Sequence, residues 1–385
     1  MNGPLNAGQP SIGVAICGAT TLTRKDFMRL ASRVAIIGAL MCPLTATIAQ
    51  GQAPTITVGT LVYTEYRYQL NRDSVTDSHL NNFDLTRAYI NIVGKFPSGI
   101  TARVTPDIFR GADGSLTFRL KYAYAALTPQ GSALTPKFGV IHTPWLDWEE
   151  ALWNYRMQGT MAFERFHNPA GKGYLSSSDL GFGVDGNIKY DFINFQVGVY
   201  DGEFYSAPEG DEYKDFEVRA SVRLIESDDH TRVGGLRFTG YGAVGTPTGG
   251  GTRDRYIGMV SWKSKRFTLA GEFGRARDQL DQKPPVTGSP AVVPQTDANI
   301  FSAFGVFNFG DSHRFALMAR WDAQDPNTDK DNDKQYRIIG GASYQISPEV
   351  RLLADVDNLW LQSGVYTNAV NSTRTSALFQ MQIAF

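Results

Sequence analysis

The chain has 385 residues, 42% hydrophobic and 19% charged, with 39 glycines and a mean hydropathy of −0.24. That length suits one large β domain or two ordinary globular ones, and beyond the N-terminal segment no apolar run approaches the ~20 residues that a membrane-spanning helix needs. A mildly polar average does not exclude a membrane β-barrel, whose strands turn only alternate side chains to lipid, whereas a formal net charge of −1 offers no basic excess for nucleic acid.

Residues 1–49 read as an export presequence. From Met28, Arg29 and Arg33 precede an apolar core at Val34 to Leu40, and Thr47 and Ala49 are the small residues that cleavage after Ala49 requires. Residues 1–27 lack this shape, so the expected translation start is Met28 and the mature chain begins near Gln50. Cys42 would be lipidated only within a lipobox, which Leu40-Met41 matches poorly. Both cysteines, Cys17 and Cys42, fall inside the segment, which leaves the mature chain without disulfides or thiolate metal sites. Cleavage removes four of 37 basic and one of 38 acidic residues, for a mature charge of −4.

From Thr55 onward, apolar and polar residues alternate with the period of a strand that has one wet and one apolar face. Such segments lie near 55–70, 81–96, 99–110, 114–128, 134–142, 178–190, 192–201 and 213–226, then 231–245, 252–263, 266–279, 296–309, 312–325, 333–346, 349–361 and 371–385. That makes sixteen strands, an even number, as bacterial single-chain barrels have. Every other connection is short, among them Pro97 to Gly99, Pro129 to Ser132, Tyr190-Asp191, Ser264-Lys265 and Ser347-Pro348. Those between run longer and more polar, such as Asp278 to Gln295 and Asp325 to Asp333. Short turns at one end and long loops at the other are the asymmetry of an outer-membrane barrel. Residues 50–385 are therefore expected to form one all-β transmembrane antiparallel barrel.

The two faces differ in chemistry. In Phe216 to Leu224, apolar residues take even positions and the charges Glu217, Arg219 and Arg223 take odd ones. Lipid leaves no backbone group unpaired outside helices and closed barrels, so the apolar face is expected against lipid and the charged face in the lumen. Phe304, Val306 and Ile339 break the pattern by falling on the wet side. The connection at 143–176 is exceptional in length and carries Trp145, Trp148, Trp153 and Tyr155. Long loops in compact domains are functional or disordered, and this aromatic content argues for a loop folded inward as a constriction. The chain ends with Phe379, Met381, Ile383 and Phe385 on one face, which looks like the C-terminal signal read by the barrel assembly machinery.

The segment from Phe83 to Leu224 resembles the phosphate-selective porin O and P family. The carrying stretches are FDLTRAYINIVGKF (Phe83 to Phe96), LKYAYAALTP followed by FGVIHTPW (Phe138 to Trp145), FERF (Phe163 to Phe166), SDLGFGVDG (Ser178 to Gly186), FQVGVYDG and KDFEVRASVRL. The resemblance implies a sixteen-stranded, usually homotrimeric outer-membrane channel that passes anions by diffusion. The sequence departs at the constriction, where the family's best-known members are lysine-rich. Between Thr143 and Ser176, Arg156, Arg165 and Lys172 stand against Asp147, Glu149, Glu150 and Glu164, so the loop charges do not support phosphate specificity.

The polar parity places Arg87, Lys95, Arg103, Arg119, Lys121, Arg219 and Arg223 in the lumen, and with Arg156, Arg165 and Lys172 of the loop these are the expected pore-lining residues. Lumenal cations outnumber anions, and basic rings raise the local concentration of anions. Lys95, Arg103, Arg119 and Lys121, from consecutive strands, are expected to share a basic wall; mutual pairing with carboxylates is the competing use of any single charge. No catalytic constellation appears, since His79, His142, His167, His230 and His313 lie scattered without metal-ligand spacing. Asp329, Asp331 and Asp333 begin like a calcium loop but lack its glycine and closing glutamate.

The expectation is an outer-membrane porin for small hydrophilic, weakly favoured anionic solutes, needing no cofactor. Its partners would be lipid, lipopolysaccharide, neutral or anionic solutes and two further copies. Two alternatives remain: a specific channel for an organic solute, with the loop tryptophans as a greasy track, or a plugged structural barrel.

Overall fold

The computed structural model describes residues 53–72, 78–111, 113–168, 171–207, 210–248, 250–280, 294–310, 312–364 and 372–385. The presequence lies outside these. Sixteen strands follow one another in chain order: β1 (Thr55–Gln69), β2 (Asn81–Lys95), β3 (Ile100–Arg110), β4 (Leu116–Leu127), β5 (Leu134–His142), β6 (Ser178–Ile188), β7 (Ile193–Tyr200) and β8 (Asp215–Ile225). The second half comprises β9 (Gly235–Gly245), β10 (Gly251–Lys263), β11 (Phe267–Leu280), β12 (Thr296–Phe309), β13 (Phe315–Asp325), β14 (Gln335–Gln345), β15 (Val350–Leu361) and β16 (Thr373–Ala384). Each pairs antiparallel with its sequence neighbour, and β1 with β16 closes the barrel. At the seam Thr60 and Phe385 exchange both backbone hydrogen bonds, at 2.6 and 3.1 Å. Closure leaves no open edge, which is the condition lipid imposes on a sheet.

Exposure is inverted relative to a water-soluble protein. Phe83, Phe118 and Phe138 are 84, 66 and 64% exposed, whereas Arg219, Arg237, Arg320 and Arg337 are at most 2%. The apolar parity faces outward and the charged parity inward. β9 starts four residues later than the alternation implies. The Asp229 side chain accepts from the Thr231 N–H and hydroxyl, and Gly234 N–H bonds the Thr231 carbonyl, so 231–234 form a turn.

Two β-bulges reset the parity in the early strands. In β2 the register steps from Tyr63↔Arg87 to Thr64↔Leu85, leaving Thr86 unpaired. In β4 it steps from Thr105↔Tyr122 to Pro106↔Leu120, leaving Lys121 as the extra residue. Pro106 has no N–H for the ladder, which suits it to the place where the ladder breaks. A bulge re-aims its strand: Leu120 is exposed, and the adjacent Lys121 and Tyr122 are both buried inside.

Residues 143–168 and 171–177 turn back into the barrel. They contain α1 (Leu146–Trp153), a 3-10 turn (Arg156–Gln158) and α2 (Ala162–Arg165). Trp145, Trp148 and Trp153 are at most 1% exposed. They pack with Ile257 and Met259 of β10, Phe304 and Val306 of β12, Met318 of β13, Ile339 of β14 and Leu353 of β15. Trp153 meets the Phe304 ring edge-on at 5.3 Å. The apolar residues that broke the wet parity are thus the landing site of the loop. This burial overturns the idea of the loop tryptophans as a solute track. Among the described residues no helix is long and apolar enough to cross a membrane.

Candidate functional site: the constriction

The loop's backbone is irregular, so its carbonyls need donors once inside the barrel. Side chains of the wall supply them. At the junction of β5 with the loop Gln196 of β7 donates to the His142 carbonyl at 2.7 Å, and within the loop Arg219 of β8 donates to Pro144 at 3.1 Å. Lys263 reaches Ala151 and Arg351 reaches Asn154, both at 2.8 Å, and Gln380 of β16 reaches Met157 at 2.9 Å. Arg255 donates to Tyr174 at 3.1 Å and Gln324 to His167 at 2.7 Å. Donors from six strands thereby fix the loop against the β7–β16 side.

Between the loop and β1–β5 lies a cavity of about 360 Å³. Its wall side presents Tyr63, Tyr89, Arg103, Lys121 and Tyr122, and its loop side Asp147, Glu150 and Arg156. Arg232, from the turn before β9, completes it. Four permanent cations face two carboxylates, and both carboxylates are already engaged. Arg232 donates to the Asp147 carboxylate at 2.7 Å and to its carbonyl at 2.8 Å. Burial opposes charge on Asp147, but the Arg232 guanidinium outweighs it and holds the carboxyl below its ordinary range. Glu150 pairs with Arg156 at 2.8 Å, and Arg156 also reaches Glu164 at 3.3 Å.

The two wall cations are held without carboxylates. Arg103 donates to the Thr105 hydroxyl at 3.0 Å and the Asn91 side-chain oxygen at 2.8 Å, and its guanidinium carbon lies 4.6 Å from the Tyr122 ring centre. The Tyr122 ring also stacks on His142, centre to centre at 3.9 Å, and Arg103 Nη1 lies 3.4 Å from His142 Nε2. The Lys121 ammonium stands 4.9 Å from the Tyr89 ring centre and 5.5 Å from that of Tyr122. Ring faces attract cations without cancelling their charge.

The expected pore-lining residues divide accordingly. Arg103, Lys121 and Arg156 line the cavity. Arg87 and Arg119 are tied to buried Asp107, at 3.4 and 2.8 Å, and both stack on Phe109. Lys95 is exposed at the short-turn end of β2, so the expected wall of four lysines and arginines is split. Arg165 lies against Gly159, Lys172 is exposed, and Arg219 supports the loop. Arg223 caps the Tyr190 carbonyl and pairs with Glu226 at 3.1 Å. Tyr63, Tyr89, Tyr122 and Arg232 were not anticipated. The adjacency Lys121-Tyr122 was a visible signal, being a break in parity; nothing local marks Arg232 as the partner of Asp147.

No family model matches the sequence, and no curated protein does. Solved structures match in fold. The anion-selective porin from Comamonas acidovorans is 13% identical, with 86% of this chain and all 100% of that one covered, at a TM-score of 0.62. The outer-membrane OmpT of Vibrio cholerae is 12% identical over 87% of this chain and 99% of its own, at 0.57. A mutant of the Rh. blastica porin is 15% identical over 86 and 100%, at 0.52. The chain has the closed sixteen-stranded barrel fold of outer-membrane porins. These matches do not single out the phosphate-selective branch that the motifs resemble.

Proposed function

We propose that the protein is an outer-membrane channel for passive diffusion of small hydrophilic solutes, weakly selective for anions. The observation that carries this is the charge balance of the constriction, where Arg103, Lys121, Arg156 and Arg232 face Asp147 and Glu150. A low-dielectric wall focuses such an excess, raising the local concentration of anions. Export by the presequence, delivery by the barrel assembly machinery through Phe385, and a location among lipid and lipopolysaccharide belong to the same reading. A homotrimer is part of it, in keeping with the trimer form in which OmpT of Vibrio cholerae has been solved. Phosphate specificity is not part of it, because the loop carries more carboxylates than cations.

The test is the reversal potential of refolded protein in a planar bilayer under a KCl gradient. An anion-selective potential, with no block by added phosphate, is the expected outcome. A cation-selective potential would overturn the selectivity. Absence of conductance would leave a plugged barrel, the second reading favoured by the apolar core inside the lumen.

A further inference from the structure

We propose that the constriction contains a subsite for small organic carboxylates, with Lys121 and Arg103 meeting the carboxylate and Leu61 and Ala151 meeting its apolar body. The inference rests on the channel reading above and narrows it to a class of solute.

The β-bulge is the first support. By leaving Lys121 unpaired in the ladder, it turns two consecutive side chains, Lys121 and Tyr122, into the cavity. Lys121 is only 5% exposed, yet among the described residues no carboxylate lies within ion-pair distance of its ammonium. By contrast, the described cations of the pocket lined by Glu65, Asp84 and Phe109 are paired: Arg67 with Glu65, Arg87 with Asp107 and Arg110 with Asp84. A buried ammonium held by ring faces alone retains its demand for an anion.

The donors around it fit a monovalent, single-headed anion. The hydroxyls of Tyr63, Tyr89 and Tyr122 make no hydrogen bond to described protein groups, and phenols donate well to carboxylates. Arg103 adds charge, but three of its nitrogens already engage Thr105, Asn91 and His142. A phosphate dianion would lose more hydration than these few donors replace. A carboxylate with an apolar body loses less, and it gains contact with Leu61 and Ala151, the two half-buried apolar residues that border the core cluster. Across the cavity, Asp147 and Glu150 are occupied by Arg232 and Arg156, so they do not cancel the attraction.

Benzoate is the probe, with acetate and phosphate as comparators, each titrated against full-length refolded protein conducting KCl in a planar bilayer at neutral pH. Benzoate is expected to halve the conductance at a concentration about tenfold below either comparator, the ratio that one apolar contact of ~1.4 kcal/mol supplies. Lys121→Met should raise the half-blocking concentration about tenfold, and the pair Tyr63→Phe, Tyr89→Phe should raise it several-fold. Lys172→Ala, on the exposed loop tip, should leave it unchanged. Folding is checked by heat-modifiable gel mobility, and the tyrosine pair decides if Lys121→Met fails to fold. Equal block by benzoate and acetate, stronger block by phosphate, or block that survives both sets of substitutions would overturn the subsite. Anion-selective conductance without benzoate preference defeats this inference alone, whereas absent or cation-selective conductance defeats the channel reading and the subsite with it.

Discussion

Arginine serves two ends in this lumen, and its neighbours decide which. Arg219 is 2% exposed, donates to a loop carbonyl and stacks 4.2 Å from the Trp148 ring centre, while Arg237 lies 5.5 Å from the same ring. Arg103 keeps its charge directed at the open cavity. Period-2 alternation puts both on the polar parity, because parity depends only on the strand. It did not separate support from solute, because that depends on which loop carbonyl arrives opposite, a relation spanning 75 residues for Arg219 and Pro144. Trp148 is where the supporting set converges. Truncating a buried aromatic costs about 3–5 kcal/mol, and Trp148→Ala also strips the face on which Arg219 rests. The variant should still form a barrel but lose heat-modifiable mobility at a lower temperature, with a noisier conductance. Wild-type behaviour in both would show that the loop is held elsewhere.

The loop stood out in the sequence by its length and its aromatics, whereas the apolar residues out of phase in β12 and β14 showed only as breaks in the pattern until the packed loop explained them. The bulges were not separable from ordinary strand, since one extra residue leaves composition unchanged. A junction that sequence did not show lies beneath α1. Glu149, wholly buried, lies beside Glu272 of β11, which is 2% exposed, with Arg320 and Asp322 close by, and none of the four Glu149 and Glu272 carboxyl oxygens has a hydrogen-bond partner among the described residues. Two carboxyls buried side by side resist both being charged at once. Burial pushes Glu149 up from 4.5 to about 7, against the pull of Arg320. An acid whose value is raised on docking binds its proton more tightly in the docked state. Docking is therefore firmest below about 4.5 and weakens as pH rises through about 7. Conductance should be steady at pH 5 and fluctuate at pH 9, and Glu149→Gln, which mimics the protonated form, should stay steady at both. Fluctuations independent of pH would remove the carboxyl pair from any part in holding the loop.

At the scale of the whole molecule, the barrel and the loop are two separable layers of organisation. Sixteen strands and a closed seam satisfy every neighbour through backbone hydrogen bonds, whereas the loop is fixed by side chains. Excising residues 146–166 should leave a barrel with native gel mobility, a larger conductance and no benzoate preference. An unchanged conductance would place the constriction outside the loop. The seam has a further consequence for the order of events. It joins 61–69 to 376–384, so the pairing that completes the cylinder links the two ends of the folded sequence. Contacts so distant along a chain form slowly, and until β16 arrives, β1 and β15 are bare edges able to recruit any other strand. The half-finished sheet is therefore the vulnerable species in the life of this protein. The longer that open sheet persists, the more chances its two edges have to pair wrongly.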